Sequence, residues 1–230
     1  MKKGKNKNDL IIICLNGNLP DRNFFLKQNQ EFKNIKIIAA DGAANTLYKS
    51  GIIPNIIIGD LDSLDTNIFS TDILNNIKII KDLNQNKTDF EKVIEFLINS
   101  HSKKIKIQKN IIILGINGGY IDHIVNNLNI MIKIPFNYSF YDPPIWGYII
   151  KKGEIAEFNI PIKSKISIFG FVKTFVKTSG LKWNLNHWLN FPGMNSALNR
   201  SDSQNVIIEV KSGGNILIMI YDSYINDNGI

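Results

Sequence analysis

Cys14 is the only cysteine in 230 residues, so no internal disulfide can form and no zinc site can be built on several thiolates. Its place inside the apolar run LIIICLNG gives it the reading of a small core residue. The three histidines, His101, His123 and His187, are scattered, and no pair has the helical spacing of a zinc motif. No run of eighteen apolar residues occurs, which argues against a membrane-spanning helix, and MKKGKNKND lacks the apolar middle of a signal peptide. A cytoplasmic protein with no membrane partner is therefore expected. Both familiar nucleotide cradles are missing too: there is no G-x-x-x-x-G-K-[ST] loop, and GINGG does not complete G-x-G-x-x-G. Neither an activated serine elbow nor a cysteine–histidine pair is in view.

What is present is a globular composition, 44% apolar and 20% charged, long enough for one large domain or two small ones. The formal charge of +7 asks for an anionic partner. Much of it comes from Lys2, Lys3, Lys5 and Lys7 and from Lys103, Lys104, Lys106 and Lys109, runs that ordinarily form solvated tails and connectors. A phosphate-rich small ligand accounts for the excess as well as nucleic acid does. No recognition helix, zinc finger or RNP motif is present, so no nucleic-acid partner is expected.

Periodicity divides the chain into two halves. Up to Asp142, apolar strands (10–15, 35–40, 55–59, 77–81, 110–115, 137–141) alternate with helix-length segments (22–33, 42–50, 89–100, 122–133), the pattern of a parallel α/β layer. Beyond Pro143 and Pro144 no helix pattern remains. WGYII, EIAEF, KISIFGF, TFVKT, NVIIEV and NILIMIY are short runs broken by Gly, Pro, Asn and Ser, as in an antiparallel sandwich or barrel. The proline pair is the expected boundary, giving domains 1–142 and 143–230.

Three strand ends in the first half carry acidic or glycine-rich turns. IIIGDLDS ends a buried strand at Gly59 and presents Asp60, Asp62 and Ser63; KIIAADGAAN ends in Asp41 and Gly42; IIILGINGGYIDH places Gly115, Gly118 and Gly119 ahead of Asp122 and His123. In open α/β sheets ligands bind outside the carboxyl ends of the strands. Two carboxylates two residues apart there repel unless a cation or protons neutralise them, and Mg²⁺ prefers such hard oxygen ligands. The competing reading is an ordinary acidic loop, with Asp65 as a third exposed charge.

KDLNQNKTDFEKVIEFL, residues 81–97, adds a fourth junction. Thr88 and Glu91 form a capping box ahead of the helical stripe Phe90, Val93, Ile94 and Leu97. Asp89 has two explanations: a carboxylate suited to the helix dipole, or a member of the acidic edge with Asp41, Asp60 and Asp62. Metal-supported attack of an alcohol on phosphorus is the chemistry an all-aspartate site fits best.

The segments ADGAANTLYKSGIIPNIIIGDLDS (40–63), QNKTDFEK (85–92), GINGGYIDHIVNNL (115–128) and GLKWNL (180–185) resemble the thiamine pyrophosphokinase family in order and spacing, over most of the chain. The resemblance implies a Rossmann-like α/β domain that binds ATP and Mg²⁺, followed by a β-sandwich that binds thiamine and dimerises. It also implies a homodimer with the thiamine site at its interface, and transfer of a diphosphoryl group from ATP to thiamine with release of AMP. By it, Asp41, Asp60, Asp62 and Asp89 fall on metal and catalytic positions, with Asp122 a further catalytic position. Asn45, Gln85, Thr88, Lys92, Gly118, Gly119 and Asn127 fall on ATP positions, and Trp183, Ser196 and Asn199 on the thiamine pocket, the last two in a turn. For Trp183 the alternative is a sandwich-core aromatic.

Two departures remove cations that hold phosphate: Tyr120 and Thr46 stand where the family usually has arginine, and Lys92 or Arg200 is a candidate replacement. Two rival activities are a pyrophosphokinase acting on a pterin alcohol and a haloacid-dehalogenase-type phosphatase reading of GDLDS. The latter's nucleophile loop normally follows the first strand, whereas two βα units precede Asp60.

Overall fold

The computed structural model describes residues 9–101 and 110–221, and contacts divide the chain into two compact units, Met1–Tyr138 and Ser139–Ile230. The lysines at 2–7 and 103–109 lie outside the described residues. In the first unit five strands pair in parallel: β1 (Leu10–Cys14), β2 (Ile35–Ala40), β3 (Ile56–Gly59), β4 (Lys78–Lys81) and β5 (Asn110–Leu114), in the order β5-β1-β2-β3-β4. β1 is buried at every position and β3 likewise, which is why both read as unbroken apolar runs rather than alternating ones. β4 closes the edge with lysine at each end and is mostly exposed, a charged edge that resists further pairing.

Four α-helices connect these strands and a fifth follows β5: α1 (Arg22–Glu31), α2 (Ala43–Lys49), α3 (Thr71–Asn76), α4 (Asp89–His101) and then α5 (Ile121–Lys133). The expected α4 stripe is the buried one: Phe90, Val93, Ile94 and Leu97 are all in the core. Its capping box forms as well, with Thr88 N donating to Glu91 Oε2 at 2.9 Å and Glu91 N to Thr88 Oγ1 at 3.4 Å. Sequence patterning misses α3, since TDILNN is one short helix with no buried residue and therefore no apolar stripe.

The second unit holds nine strands: β6 (Ser139–Asp142), β7 (Ile145–Ile150), β8 (Ile155–Asn159), β9 (Lys165–Gly170), β10 (Thr174–Ser179), β11 (Asn186–Leu189), β12 (Ser196–Arg200), β13 (Asn205–Ser212) and β14 (Ile216–Tyr221). They form antiparallel runs in the orders β12-β9-β14-β7-β6 and β11-β10-β13-β8. The inner faces meet through residues spaced by two: Ile166 and Ile168, Ile216, Ile218 and Ile220 from one sheet, Val206, Ile208 and Val210 with Val176 from the other. The division falls after Tyr138, ahead of Pro143–Pro144, because β6 pairs with β7. The segment expected to hold a turn around Ser196 and Asn199 is instead the edge strand β12. A register shift between those residues, with Leu198 at φ 53°, gives it its irregular look in sequence.

Gly147 on β7 is directly opposite Phe140 on β6, and a Cβ there would come 1.9 Å from the ring of that fully buried phenylalanine. Gly147→Ala therefore forces the ring out of its site and is expected to cost about 1–3 kcal/mol in urea unfolding. An unchanged unfolding midpoint would contradict this packing.

Candidate metal and phosphate site

Asp41 leaves β2 with φ 41°, a left-handed backbone rare for a residue with a side chain. Its N–H donates to Ile58 O at 2.9 Å and its carbonyl accepts from Ala44 N at 3.0 Å, so β3 on one side and α2 on the other hold it there. Asp60 leaves β3, and Asp89 opens α4. One carboxylate oxygen from each of Asp41, Asp60 and Asp89 lies within 4.8 Å of the others. Gly59 makes this convergence possible, because a Cβ on it would stand 2.7 Å from Asp41 Cβ and 3.1 Å from Asp89 Oδ1.

Three polar contacts hold the cluster. Gln85 Nε2 donates to Asp60 Oδ2 at 2.8 Å, and this bond, with help from Lys92, keeps Asp60 below its ordinary pKa. Lys92 is buried and its Nζ lies 3.0 Å from Asp89 Oδ1. Burial pulls the Lys92 ammonium down, but Asp89, Asp60 and Asp82 outweigh it and leave the pKa raised. Ser63 N donates to Asp41 Oδ2 at 3.1 Å, whereas Oδ1 of the same carboxylate is buried with no hydrogen-bond donor among the described residues. Burial pushes Asp41 up to about 6 against the pull of that Ser63 bond, and Asp89 and Asp62 push the same way.

The remaining expected residues fall into distinct places. Asp62 is exposed, close enough to Asp41 to affect it and bound at Oδ1 by Ser63 Oγ at 3.0 Å, but it is not one of the three convergent carboxylates. Asn45 clamps the acidic loop, Nδ2 donating to Ser63 O at 2.7 Å and Oδ1 accepting from Asp65 N at 3.1 Å. Thr88 caps α4. Lys92, expected among the ATP contacts, stands beneath the cluster as the counter-ion of Asp89. Gly118 has φ 112° and presses against Asn18, while a Cβ on Gly119 would meet nothing within 4 Å, leaving its backbone open to approach. Asn127 Nδ2 donates to Ile116 O at 3.1 Å and so steadies that loop. Asp122 is exposed in the first turn of α5, accepts from His123 N at 3.0 Å, and lies outside the three-carboxylate group.

In the second unit the three expected pocket residues are joined by hydrogen bonds. Buried Asn199 donates from Nδ2 to Trp183 O at 2.8 Å and to Ser196 Oγ at 3.1 Å, and accepts at Oδ1 from Trp183 N at 3.3 Å. Trp183 itself is 55% exposed with Lys182 Nζ 4.7 Å from its ring centroid, so the core-aromatic explanation is removed. The sequence reading passed over Asn16, whose carboxamide reaches the same acidic edge from β1. LNGN after β1 is a strand-end turn of the same kind as those chosen, but without an acid to mark it.

An α/β unit with a carboxylate cluster at the carboxyl edge of its parallel sheet, followed by a β-sandwich, defines a class of two-domain proteins whose ligands bind outside the strand ends. Residues 28–140 match the family model "Thiamin pyrophosphokinase, catalytic domain", and residues 158–214 match "Thiamin pyrophosphokinase, vitamin B1 binding domain". Thiamine pyrophosphokinase 2 of Arabidopsis thaliana is 26% identical over 225 residues, covering 87% of this chain and 82% of that protein. Thiamine pyrophosphokinase of Saccharomyces cerevisiae is 28% identical over 211 residues, covering 66% of each. The structure of thiamin pyrophosphokinase from Candida albicans shares the fold with a TM-score of 0.78 at 20% identity, covering 94% of this chain and 90% of that one. The chain belongs to the thiamine pyrophosphokinase family.

The raised pKa of Asp41 has a stability consequence. The folded chain binds this proton more tightly than the unfolded chain, so without a cation Asp41 favours folding as pH falls from about 6 toward roughly 4 and opposes it as pH rises. Asp41→Asn is expected to flatten that part of the stability–pH curve and to raise the melting temperature of chelator-treated protein at about pH 7. Coincident curves for the two proteins would contradict the assignment.

Proposed function

We propose that this chain is a Mg²⁺-dependent thiamine pyrophosphokinase that moves a diphosphoryl group from ATP to the hydroxyl of thiamine and releases AMP. We further propose that it works in the cytoplasm as a homodimer with the thiamine site at the interface between copies. The observation that carries the reading is the convergence of Asp41, Asp60 and Asp89 within 4.8 Å, in a chain whose two units match the two domains of that family.

The residues fit a small hard cation. All donors are carboxylate oxygens, and Asp41 Oδ1 is buried with no described donor to satisfy it. Asp41, Asp60 and Asp89 would hold Mg²⁺, with Asp62 beside them, and the bound ion would neutralise charge on the phosphates of ATP. The chain's own part is positional. Gln85 fixes the Asp60 carboxylate, Lys92 fixes Asp89, and Asn45 holds the loop that carries Asp62 and Ser63. In this reading the open backbone at Gly119, steadied through Gly118 and Asn127, takes a phosphate, and Thr88 serves by setting the start of α4. Asp122 enters by its motif position alone. Trp183, held outward through Asn199 and Ser196, offers a flat face to the thiamine rings.

An end-point assay with thiamine, ATP and Mg²⁺ is expected to yield one AMP for each thiamine diphosphate; formation of ADP would overturn diphosphoryl transfer. Asp60→Asn is expected to lower kcat by roughly two to three decades while leaving the fold intact. Near-native turnover of that variant at saturating Mg²⁺ would remove the cluster from the reaction.

Because the Trp183 ring is exposed, its removal separates binding from folding. Trp183→Ala is expected to raise the KM for thiamine roughly two- to tenfold, with little change in the KM for ATP or in melting temperature. An unchanged thiamine KM would end the pocket role.

A further inference from the structure

Asn16 is the first residue of the turn region after β1 with an exposed polar side chain, and it lies ahead of the segment that the family's catalytic-domain model matches. Its carboxamide lies over Gly42: a Cβ built there would stand 3.1 Å from Asn16 Nδ2, 3.3 Å from Asn16 Cγ and 3.1 Å from Ser63 Cβ. The amide therefore occupies the space that Gly42 leaves empty, next to the residue whose N–H binds Asp41. The turn around it is tightly seated. Leu15 N donates to Leu114 O at 2.9 Å, Asn18 N donates to Asn117 O at 2.6 Å, and a Cβ on Gly17 would be 2.2 Å from Asn117 O. Asn16 is thus carried on a rigid loop, with its amide free of any hydrogen bond recorded among the described residues.

Its place in the sheet says which substrate it faces. The strand order runs from β1 outward through β2, β3 and β4 on one side and to β5 on the other, so the order reverses at β1. Outside the carboxyl ends of the strands at such a reversal is where α/β sheets hold nucleotides. Asn16 stands there, between the carboxylate cluster at the ends of β2 and β3 and the glycine loop after β5. A phosphate chain anchored at the cluster and running toward that loop passes over it. The edge is rich in carboxylates that repel phosphate, so an uncharged N–H donor among them supplies attraction without the titration or competing ion pair of a lysine. Lys92 cannot serve, being buried against Asp89.

We propose that Asn16 is an ATP-binding residue of this enzyme, donating its carboxamide N–H to a phosphate oxygen of the nucleotide while Gly42 keeps the space for it. The assignment rests on the activity proposed above.

The test uses the full chain and three variants, Asn16→Ala, Asn16→Asp and Gly42→Ala, with both Michaelis constants, melting temperature, and equilibrium titration with ATP and Mg²⁺. Loss of a hydrogen bond to a charged oxygen is expected to raise the KM and Kd for ATP about tenfold or more in Asn16→Ala. Asn16→Asp keeps the shape but replaces the donor by a negative charge, so its ATP constants are expected to rise further than those of the alanine variant. Gly42→Ala displaces the amide and is expected to follow in the same direction. The KM for thiamine is expected to stay within about twofold in both Asn16 variants. Unchanged ATP constants in Asn16→Ala and Asn16→Asp would overturn the proposal, as would equal rises in both Michaelis constants accompanied by a fall in melting temperature, the mark of a purely structural role. If the unaltered chain formed no AMP, the activity would fail separately, and the ATP titration would still decide the contact.

Discussion

The missing side chain of Gly59 is the constraint on which the rest of the first unit's site depends. Carboxylates avoid one another, yet one oxygen from each of Asp41, Asp60 and Asp89 lies within 4.8 Å of the others. Any Cβ at position 59 would force Asp41 and Asp89 apart and relieve that repulsion. The chain instead keeps them together and offsets the repulsion elsewhere, through buried Lys92 on Asp89, Gln85 on Asp60, and a proton that Asp41 releases only near pH 6. Asp41 is thus a carboxylate whose ionisation is held back by burial and by its acidic neighbours, with one oxygen that no described donor satisfies.

The backbone contributes as well. Asp41 at φ 41° and Leu61 at φ 70° both occupy the left-handed region, a conformation that costs of order 1–3 kcal/mol each. Asp41 belongs to the cluster, and Leu61 follows its member Asp60. The strain at Asp41 is held by hydrogen bonds to β3 and α2, so parallel pairing of β2 with β3 is what turns the Asp41 carboxylate inward. The fold and the chemistry meet in that one residue: the sheet determines the aim of the acid, and the acid's neighbours determine its protonation.

Much of this was legible because it is local or periodic. The capping box at Thr88 and Glu91 and the stripe Phe90, Val93, Ile94 and Leu97 are fixed by spacing along one helix, and the acids after β2 and β3 are marked by the abrupt end of an apolar run. What the sequence did not disclose depends on contacts between distant segments. That Asn45 is a clamp on residues 63–65 follows only once α2 and the β3 loop are side by side. The burial of Lys92 against Asp89 is equally invisible, since position 92 also suits an exposed lysine reaching for phosphate. Asp62 and Asp89 illustrate the same limit: two residues of one type, each with a local motif, of which geometry puts only Asp89 in the convergent group. In the second unit, β11 and β12 escaped notice because sheet-edge strands carry polar residues and β12 is bulged.

Asn199 explains how an apolar indole stays on the surface. A tryptophan left to itself gains by burying its ring, yet Trp183 is more than half exposed. What fixes it is the main chain: the buried Asn199 amide takes both its N–H and its C=O, and uses its remaining N–H on Ser196. Removing that amide would leave the part-buried Trp183 N–H and C=O without their partner, whereas removing the indole leaves those bonds in place. Asn199 is thus a positioning residue for Trp183, holding the main chain that carries the indole. Separating the residue that holds from the residue that is presented lets the exposed face vary without dissolving the sandwich beneath it.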